Sequence, residues 1–179
     1  MARKPARDEE PHDISIVGDL TESEADITDK LLAVPEGGDC TLYFDCPGGG
    51  AYTAIALLTL ITVRRLNATG IVTGECSSAA IWPLAACRRR FVTPFSILLF
   101  HPLKWQSEEN IGLSEAREWA RHFEQLEQEM DRLLASYFNL PYEQLLGWMQ
   151  PGRYVSGREF VAAGLAELID LGGKDKPKR

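Results

Sequence analysis

Short apolar runs and longer segments with helical spacing alternate along this chain, which predicts a regular succession of strands and helices. Strands are predicted at residues 14–17, 41–44, 70–74, 90–93, 95–100, 153–155 and 165–171. Helices are predicted at residues 23–33, 51–63, 78–87, 114–137, 142–150 and 156–164. This alternation implies βαβ units with right-handed crossovers and a mainly parallel sheet, so the predicted fold class is α/β.

Capping residues indicate where several of these helices begin. Thr21 and Ser114 can each cap the helix that follows them. Ser156 and Glu159 have the spacing of a capping box. Pro83 falls inside the predicted helix 78–87, so we expect it to bend this helix or to shift its start.

The helix after Ser114 is long, amphipathic and acidic. Its apolar residues recur at steps of three and four. They are Leu113, Ala116, Ala120, Phe123, Leu126, Met130, Leu133 and Tyr137. Residues 107–132 contain eight acidic and three basic side chains, a net charge of −5, which by itself indicates a solvated face. Trp119 lies off the apolar stripe, and an exposed tryptophan there would fit an interface.

Changes in composition divide the chain into a central domain and two tails. Residues 1–13 alternate charged residues with proline and are predicted to be mobile. Residues 174–179 form a basic tail that we also expect to be mobile. Residues 14–173 contain no internal repeat or low-complexity linker, so they are predicted to form a single domain.

Composition and charge exclude several classes of protein. The chain has 179 residues, of which 45% are hydrophobic, so one domain can bury a substantial core. Its net charge of −7 leaves no basic surplus for nucleic acid. No apolar stretch is long enough for a membrane span, and the first residues lack the apolar centre of a signal peptide, so we expect a soluble cytoplasmic protein that binds no membrane.

The cysteines give no indication of a disulfide scaffold or a metal site. The chain has four of them, at Cys40, Cys46, Cys76 and Cys87. None stands in a C-x-x-C pair, and zinc requires tighter clusters of cysteine and histidine. We therefore expect reduced, partly buried thiols and no metal or other cofactor.

Three predicted turns after strands carry residues suited to chemistry, and such turns collect functional groups in parallel α/β sheets. The first is Pro47 followed by glycines at 48–50. Glycines let a backbone present N–H groups without obstruction, as the donor site for an oxyanion requires. The loop lacks the G-x-G-x-x-G spacing of a dinucleotide fingerprint, and a plain tight turn explains it equally well when it is taken alone.

The other two turns carry serines and a histidine. Ser77 and Ser78 directly precede an apolar helix, whose free N–H groups and macrodipole stabilise negative charge at or beside a serine oxygen. Either serine can also simply cap that helix. His101 ends an apolar strand, where a structural histidine is the ordinary explanation. Together, however, the three turns supply the donor loop, nucleophile and base of an acyl-transfer site.

Four short segments stand in a recognisable order: LYFDCPGG at 42–49, GECSSA at 74–79, LLFHP at 98–102, and RYVS followed by AGL at 153–165. They resemble four motifs of the caseinolytic (Clp) peptidase proteolytic subunit family. In the family these are the S-P-G-G loop, the G-x-A-A-S-x nucleophile segment, the M-I-H-x-P base segment and the R-F-[LM]-S-A…G-L-[VI]-D ending. The resemblance covers roughly residues 14–171. It implies a Clp/crotonase-like α/β fold of repeated ββα/βαβ units with a long handle helix.

The resemblance also implies roles for individual residues. Ser78 corresponds to the nucleophile of a serine peptidase and His101 to its general base and acid, with the N–H groups of Gly49 and Ala79 as oxyanion donors. The helix after Ser114 corresponds to the handle, which implies a homo-oligomeric ring, a heptamer or double heptamer. Peptides or unfolded protein segments are the implied substrates.

Two departures from the family pattern bear on activity. The family's third triad residue is an aspartate directly before the R-F-[LM]-S stretch. Here that position is Gly152, which can neither orient an imidazole nor stabilise its cationic form. Asp45, Asp131 and Asp170 are other acids in the domain, and the sequence selects none of them as a replacement. Residues 1–13 also lack a clear apolar anchor for an axial gate, which counts against docking to an ATP-dependent unfoldase.

Three functions therefore remain open. The leading hypothesis is a Clp-like serine peptidase that forms an acyl-enzyme on Ser78, with activity weakened by the missing acid. The second is a catalytically impaired ring subunit that assembles with an active Clp paralogue. The third is a crotonase-type acyl-CoA enzyme that uses only the oxyanion loop. A serine–lysine dyad through Lys104 has no support in the spacing.

Overall fold

A computed structural model of the chain describes residues 12–105 and 110–172. Within these ranges the chain has the α/β fold that its sequence predicts. The strands are β1 (His12–Asp19), β2 (Asp39–Gly48), β3 (Asn67–Cys76), β4 (Arg89–Val92), β5 (Ile97–Phe100), β6 (Arg153–Ser156) and β7 (Glu167–Leu168). The helices are α1 (Glu24–Ala33), α2 (Ala51–Val63), α3 (Ile81–Ala86), α4 (Leu113–Phe138), α5 (Tyr142–Met149) and α6 (Gly157–Ala162).

The described strands form a largely parallel sheet, as predicted. Its main path follows the order β1, β2, β3, β4, β7, and every pair along this path is parallel. β5 lies off the path, where it pairs in parallel with β3 and antiparallel with β6. Because β2, β3 and β5 run in the same direction, the turns that follow them lie at one end of the sheet.

The helices bury apolar side chains in one core that they share with the strands. α2 is apolar around nearly its whole circumference, and its Ala54, Leu57 and Ile61 lie in this core. α4 differs between its two halves. The buried residues of α4 all lie in its second half, from Met130 to Phe138, whereas its first half is mostly exposed.

The segment 78–87 is not one helix. A 3₁₀ turn at Ser78–Ala80 leads into α3, which begins at Ile81. Pro83 is the third residue of α3, where a backbone N–H would have no partner within the helix. Of the two effects expected of Pro83, the structure shows a shifted start. The resulting helix, α3, has six residues and includes Pro83 in its first turn.

Two of the three predicted caps are wrong. α1 begins at Glu24, after Ser23, and α4 begins directly after Gly112; neither of these preceding residues forms a side-chain cap bond. Thr21 instead bonds to a distant loop, described below. The third cap is confirmed, because Ser156 and Glu159 form both hydrogen bonds of a capping box at the start of α6.

Two strands are shorter than predicted. β5 begins at Ile97 because Thr93 and Ser96 close a turn before it: the Ser96 hydroxyl accepts from the Thr93 N–H at 2.9 Å. The strand predicted over 165–171 is reduced to Glu167–Leu168. β1 begins at His12, two residues earlier than predicted. The rest of the predicted N-terminal tail, 1–11, and the basic tail 174–179 lie outside the described residues.

The four cysteines are buried and form no disulfide. Burial raises the pKa of the Cys40 thiol to about 11, and burial also raises the pKa of the Cys76 thiol. A thiol of high pKa is a poor nucleophile at neutral pH, so the expected structural role of the cysteines agrees with their surroundings.

None of the helices in the described ranges combines the length and the apolar composition that a membrane span needs.

Gly157 packs directly against the turn between β4 and β5. An ideal Cβ on Gly157 would lie 2.0 Å from the carbonyl oxygen of Thr93, which is part of the backbone and cannot rotate away. The Gly157 N–H also donates to the carbonyl of Ser96 at 2.8 Å. The turn before β5 and the start of α6 therefore need a residue without a side chain between them.

We expect Gly157→Ala to lower the free energy of unfolding by more than about 2 kcal/mol, because the backbone must move to admit the new methyl group. Gly147→Ala is the matched control, since Gly147 lies in α5 and no other described atom falls within 4 Å of its ideal Cβ. This second change should stabilise the chain by about 0.5–1 kcal/mol. Urea denaturation followed by circular dichroism measures both, and similar effects of the two would contradict the packing described here.

Candidate active site

The glycine loop and the serine turn lie in direct contact. Gly48 ends β2 with a φ of 117°, and an ideal Cβ there would lie only 2.7 Å from the Cβ of Ser78. The same Cβ would lie 3.2 Å from the backbone nitrogen of Ala79. Only glycine accommodates both the backbone conformation and the close approach. The structure therefore brings together two of the three turns that the sequence singles out.

Thr21 holds the glycine loop from the other side. Its Oγ1 accepts a hydrogen bond from the Gly50 N–H at 2.7 Å, and an ideal Cβ on Gly49 would lie 2.8 Å from the same oxygen. The Leu20 N–H donates to the carbonyl of Gly48 at 2.8 Å. Thr21 thus fixes the loop and occupies the Gly50 donor.

The two adjacent serines have different surroundings. Ser77 is fully buried, and its Oγ accepts from the Leu99 N–H of β5 at 3.0 Å, so it ties the turn to the neighbouring strand. Ser78 is half-buried and lines a cavity. Its φ of 53° lies in the left-handed region, which costs a residue other than glycine about 1 kcal/mol or more. A strained, accessible serine at a strand-to-helix turn is a typical nucleophile geometry.

The backbone donors predicted from the sequence lie beside Ser78. Ala79 is the second residue of the 3₁₀ turn, and the N–H groups of a first helical turn have no partner within the helix. Gly49 follows Gly48 in the loop that contacts Ser78, and both Gly49 and Ala79 line the same cavity as the serine. Both residues therefore border the cavity that holds Ser78, and their role as oxyanion donors stays a prediction.

His101 directly follows β5 and lines the same cavity. Its Nδ1 lies 2.6 Å from the carbonyl oxygen of Pro102. Because a carbonyl only accepts hydrogen bonds, this contact assigns the proton to Nδ1. The Nε2 of the neutral ring then carries the lone pair that a general base needs.

Gly152 lies against His101, at the position where the sequence lacks an aspartate. Its φ is 123°, and an ideal Cβ on Gly152 would lie 3.2 Å from the Cβ of His101 and 3.3 Å from the carbonyl oxygen of Phe100. The space beside the histidine therefore holds no carboxylate from this position. The carbonyl of Pro102 provides the partner for Nδ1 instead.

A cavity of about 200 Å³ joins these groups. Its wall comprises Gly49, Gly50, Ala51, Ser78, Ala79, Trp82, His101, Leu103, Lys104, Glu127, Met130, Asp131 and Met149. All four site residues predicted from the sequence, Ser78, His101, Gly49 and Ala79, belong to it. Across residues 12–105 and 110–172, however, no hydrogen bond joins the Ser78 hydroxyl to the His101 ring. In enzymes without substrate such bonds are often long and tighten only in the complex.

Of the three acids that the sequence left as possible replacements, Asp131 lines the cavity. It lies in α4 and is only 2% exposed. Burial, and secondarily the charge of Glu127, raises the pKa of Asp131 to about 6. Asp45 instead accepts from the Glu75 N–H at 3.1 Å, which links β2 to β3, and Asp170 accepts from the Gly172 N–H at 2.8 Å in a local turn.

Three contributions to the site were not assigned from the sequence. Thr21 was interpreted as a helix cap, because the loop it binds is 29 residues away in the sequence. Asp131 follows Met130 of the apolar stripe, which is the one signal that it turns toward the core. Trp82 lines the cavity and has a buried Nε1 without a hydrogen-bond partner among the described residues.

Comparison with known proteins assigns the chain to a family. The Clp protease family matches residues 10–170, which is nearly the whole chain. A curated relative, the ATP-dependent Clp protease proteolytic subunit 6, chloroplastic, of Arabidopsis thaliana, is 21% identical over 141 residues. The match covers 76% of this chain and 51% of the relative, so the chain spans about half the length of that protein. The long family match shows that the chain belongs to the Clp protease family and has its fold.

Proposed function

We propose that this chain is a serine peptidase that cleaves peptide bonds through an acyl-enzyme on Ser78. One observation carries the proposal: Ser78 sits in strained backbone at the wall of a cavity, in contact with a glycine loop and sharing that cavity with His101. Membership of a protease family supports a peptidase over an acyl-CoA enzyme, which needs neither the serine nor the histidine.

In the proposed reaction, the Ser78 Oγ attacks the carbonyl carbon of the scissile bond while the His101 Nε2 takes the hydroxyl proton. The N–H groups of Gly49 and Ala79 stabilise the negative oxygen of the tetrahedral intermediate. His101 then gives the proton to the leaving amine as the C–N bond breaks. A water molecule, deprotonated by the same nitrogen, attacks the ester and releases the acid and the free serine.

The replacement of the acid by a backbone carbonyl predicts weak activity. The Pro102 carbonyl can select the His101 tautomer, but it carries no full charge to stabilise the imidazolium. In a dissected serine peptidase, loss of the acid alone cost about 10⁴-fold in kcat, against about 10⁶-fold for the serine or histidine. A Ser78–His101 dyad therefore retains part of the catalytic power of a triad.

A second candidate is a catalytically impaired ring subunit that assembles with an active Clp paralogue. Gly152 favours it, because the position beside His101 lacks a carboxylate. The absence of a hydrogen bond between Ser78 and His101 in the described residues points the same way. The two candidates differ in whether the isolated chain reacts at Ser78.

The proposed substrates are short peptides and unfolded protein segments. A cavity of about 200 Å³ admits one side chain, and no unfoldase is needed to deliver a short peptide to it. The chloroplast relative is named as part of an ATP-dependent protease. We also propose a cytoplasmic location, because the composition is charged and acidic.

Clp protease family members form oligomeric rings, and we propose a ring of seven or fourteen copies here. The first half of α4 supplies the surface for it. Trp119 is 42% exposed there, with its ring stacked on Trp105 at 5.7 Å and on Phe123 at 5.4 Å between centroids. Beside them, the Tyr52 hydroxyl lies 2.7 Å from the Nε2 of His122. Exposed stacked aromatic rings of this kind are typical of protein interfaces.

Covalent labelling tests the nucleophile. A fluorophosphonate should react with the isolated wild-type chain, and Ser78→Ala should abolish the label, because the reagent needs the Ser78 oxygen. Ser77→Ala is the matched control and should keep the label if the protein remains folded, since the buried Ser77 hydroxyl only holds Leu99. Intact mass spectrometry reads out both variants. A label that survives Ser78→Ala would overturn the assignment, and no label on the wild-type chain would favour the impaired subunit.

The bond from Thr21 to Gly50 should matter for catalysis because it fixes the loop that carries the Gly49 donor. We expect Thr21→Val to lower kcat for a peptide substrate by about 10-fold or more with a smaller change in KM, since a displaced oxyanion donor acts on the transition state. Thr21→Ser keeps the hydroxyl and should retain most of the rate. An equal loss of kcat in the two variants would show that the rate does not depend on the Thr21 hydroxyl.

The aromatic surface on α4 should carry the assembly. Trp119→Ser should shift the chain from a ring toward smaller species, because it removes a large apolar side chain from the exposed stack. Trp119→Phe keeps an aromatic ring and should assemble like the wild type. Light scattering after size exclusion gives the number of 19.9 kDa chains in each particle. A wild-type mass that Trp119→Ser leaves unchanged would exclude this surface as the contact.

A further inference from the structure

The wall of the cavity beside Ser78 contains a carboxylate without a cation. Asp131 is 98% buried as a residue, yet it borders the cavity through α4. In the described parts of the chain, 12–105 and 110–172, its side chain forms neither a hydrogen bond nor a salt bridge. Buried carboxylates are normally paired, since an isolated charge is costly to remove from water. This one is therefore available to a group that enters the cavity.

Its surroundings favour a positive group over a negative one. Glu127 stands one helical turn earlier on α4 and borders the same cavity. Burial and the charge of Glu127 together raise the pKa of Asp131 to about 6, so the carboxylate is charged at neutral pH. Two carboxylates at one wall attract a cation and repel an anion.

The other charged groups at the cavity follow β5. Lys104 is exposed and forms no salt bridge within the described residues, and His101 is engaged with the Pro102 carbonyl. Trp82 of α3 and Met149 of α5, which complete the wall, carry no charge. No protein cation thus neutralises Asp131 from the elements packed around it, in the part of the chain that is described.

The remaining wall suits an aliphatic stem. Leu103, Met130, Met149 and the indole of Trp82 are apolar and border the same space. Methionine side chains adapt to unbranched partners. Cavities that take drug-sized ligands measure about 300–1,000 Å³, so the cavity of about 200 Å³ is sized for one side chain. A chain of methylene groups that ends in a positive charge matches this wall.

We propose that the cavity is a specificity pocket that selects lysine or arginine on the amino-terminal side of the scissile bond, through an ion pair with Asp131. The pocket shares its wall with Ser78 and Ala79, so a side chain seated in it belongs to the residue whose carbonyl reaches the serine. The proposal rests on the peptidase function proposed above, and it assigns that enzyme a class of substrate.

The first test compares two fluorogenic peptides that differ only in this residue, lysine in one and norleucine in the other. Norleucine keeps the unbranched stem and lacks the ammonium group. We expect the kcat/KM of the wild-type chain to be higher for the lysine peptide by about 30-fold or more. The loss of one partner of a buried charge pair lowers binding by factors of this size. Asp131→Asn should remove at least 10-fold of that preference, because the lysine ammonium loses the carboxylate that it pairs with.

Glu129→Gln is the matched control, because Glu129 lies on the exposed side of α4, away from the cavity, and the change removes the same charge. It should leave the preference intact. A wild-type preference for norleucine, or a lysine preference that Asp131→Asn does not change, would overturn the proposal.

A binding measurement separates this proposal from the peptidase assignment. Benzamidine, a small arginine mimic, should bind to Ser78→Ala as well as to the wild type and should shift the fluorescence of Trp82 in the cavity wall. Asp131→Asn should weaken binding by about 10-fold or more. Binding that depends on Asp131 without any fluorophosphonate label would keep the cation pocket and reject the peptidase. Labelling of Ser78 with no benzamidine binding would reject the pocket alone.

The preference should also depend on pH. The carboxylate of Asp131 is charged above its pKa of about 6 and neutral below it, so the ratio of lysine to norleucine cleavage should fall as the pH drops from 8 to 5. His101 acts in the cleavage of both substrates, so its contribution cancels in the ratio. Asp131→Asn should give a flatter ratio across the range, and an equally steep fall in that variant would show that Asp131 is not the cause.

Discussion

The approach of Gly48 to Ser78 is the contact on which the site depends. Gly48 ends β2 and Ser78 follows the end of the neighbouring parallel strand β3, and they come so close that a single methyl group on the loop would overlap the serine. Ser77 links its turn to β5, and Thr21 holds the glycine loop, so both sides of the contact are tied to neighbouring elements. These bonds hold the loop and the serine turn in place without substrate, which is what electrostatic preorganisation would require of the proposed donors.

The order of the elements was predictable from periodicity. The strands are short apolar runs, and the helices have apolar residues at helical spacing. α2 and α4 have the bounds that their spacing predicts to within about one residue at most ends. The errors fall where a side chain forms a hydrogen bond that the periodicity does not show. Ser96 shortens β5 through its bond to Thr93. The Thr21 hydroxyl binds a loop that is distant in the sequence and does not cap the helix that follows it. Such competition between local and distant bonds leaves no periodic signal.

The site itself was predictable only in part, for a related reason. Glycine at 48–50, Ser78 and His101 fall directly after strands, so sheet geometry alone predicts that they meet. Asp131 lies in the second half of α4, 30 residues after His101, and the packing of α4 brings it to the cavity. Nothing in the local sequence of an acidic helix marks which carboxylate turns inward, since its neighbours Glu124, Glu127 and Glu129 have the same chemistry.

The loss of the acid at position 152 and the presence of one at position 131 have separate electrostatic consequences. A carboxylate beside His101 would stabilise the imidazolium and so act on the rate. Burial and then Glu127, rather than the histidine, raise the pKa of Asp131, so in our proposal its charge acts on what enters the cavity. The neutral carbonyl of Pro102 keeps the orientation of the imidazole without its charge stabilisation. In the proposed peptidase, binding of a cationic side chain would recover in kcat/KM part of what the missing aspartate removes from kcat.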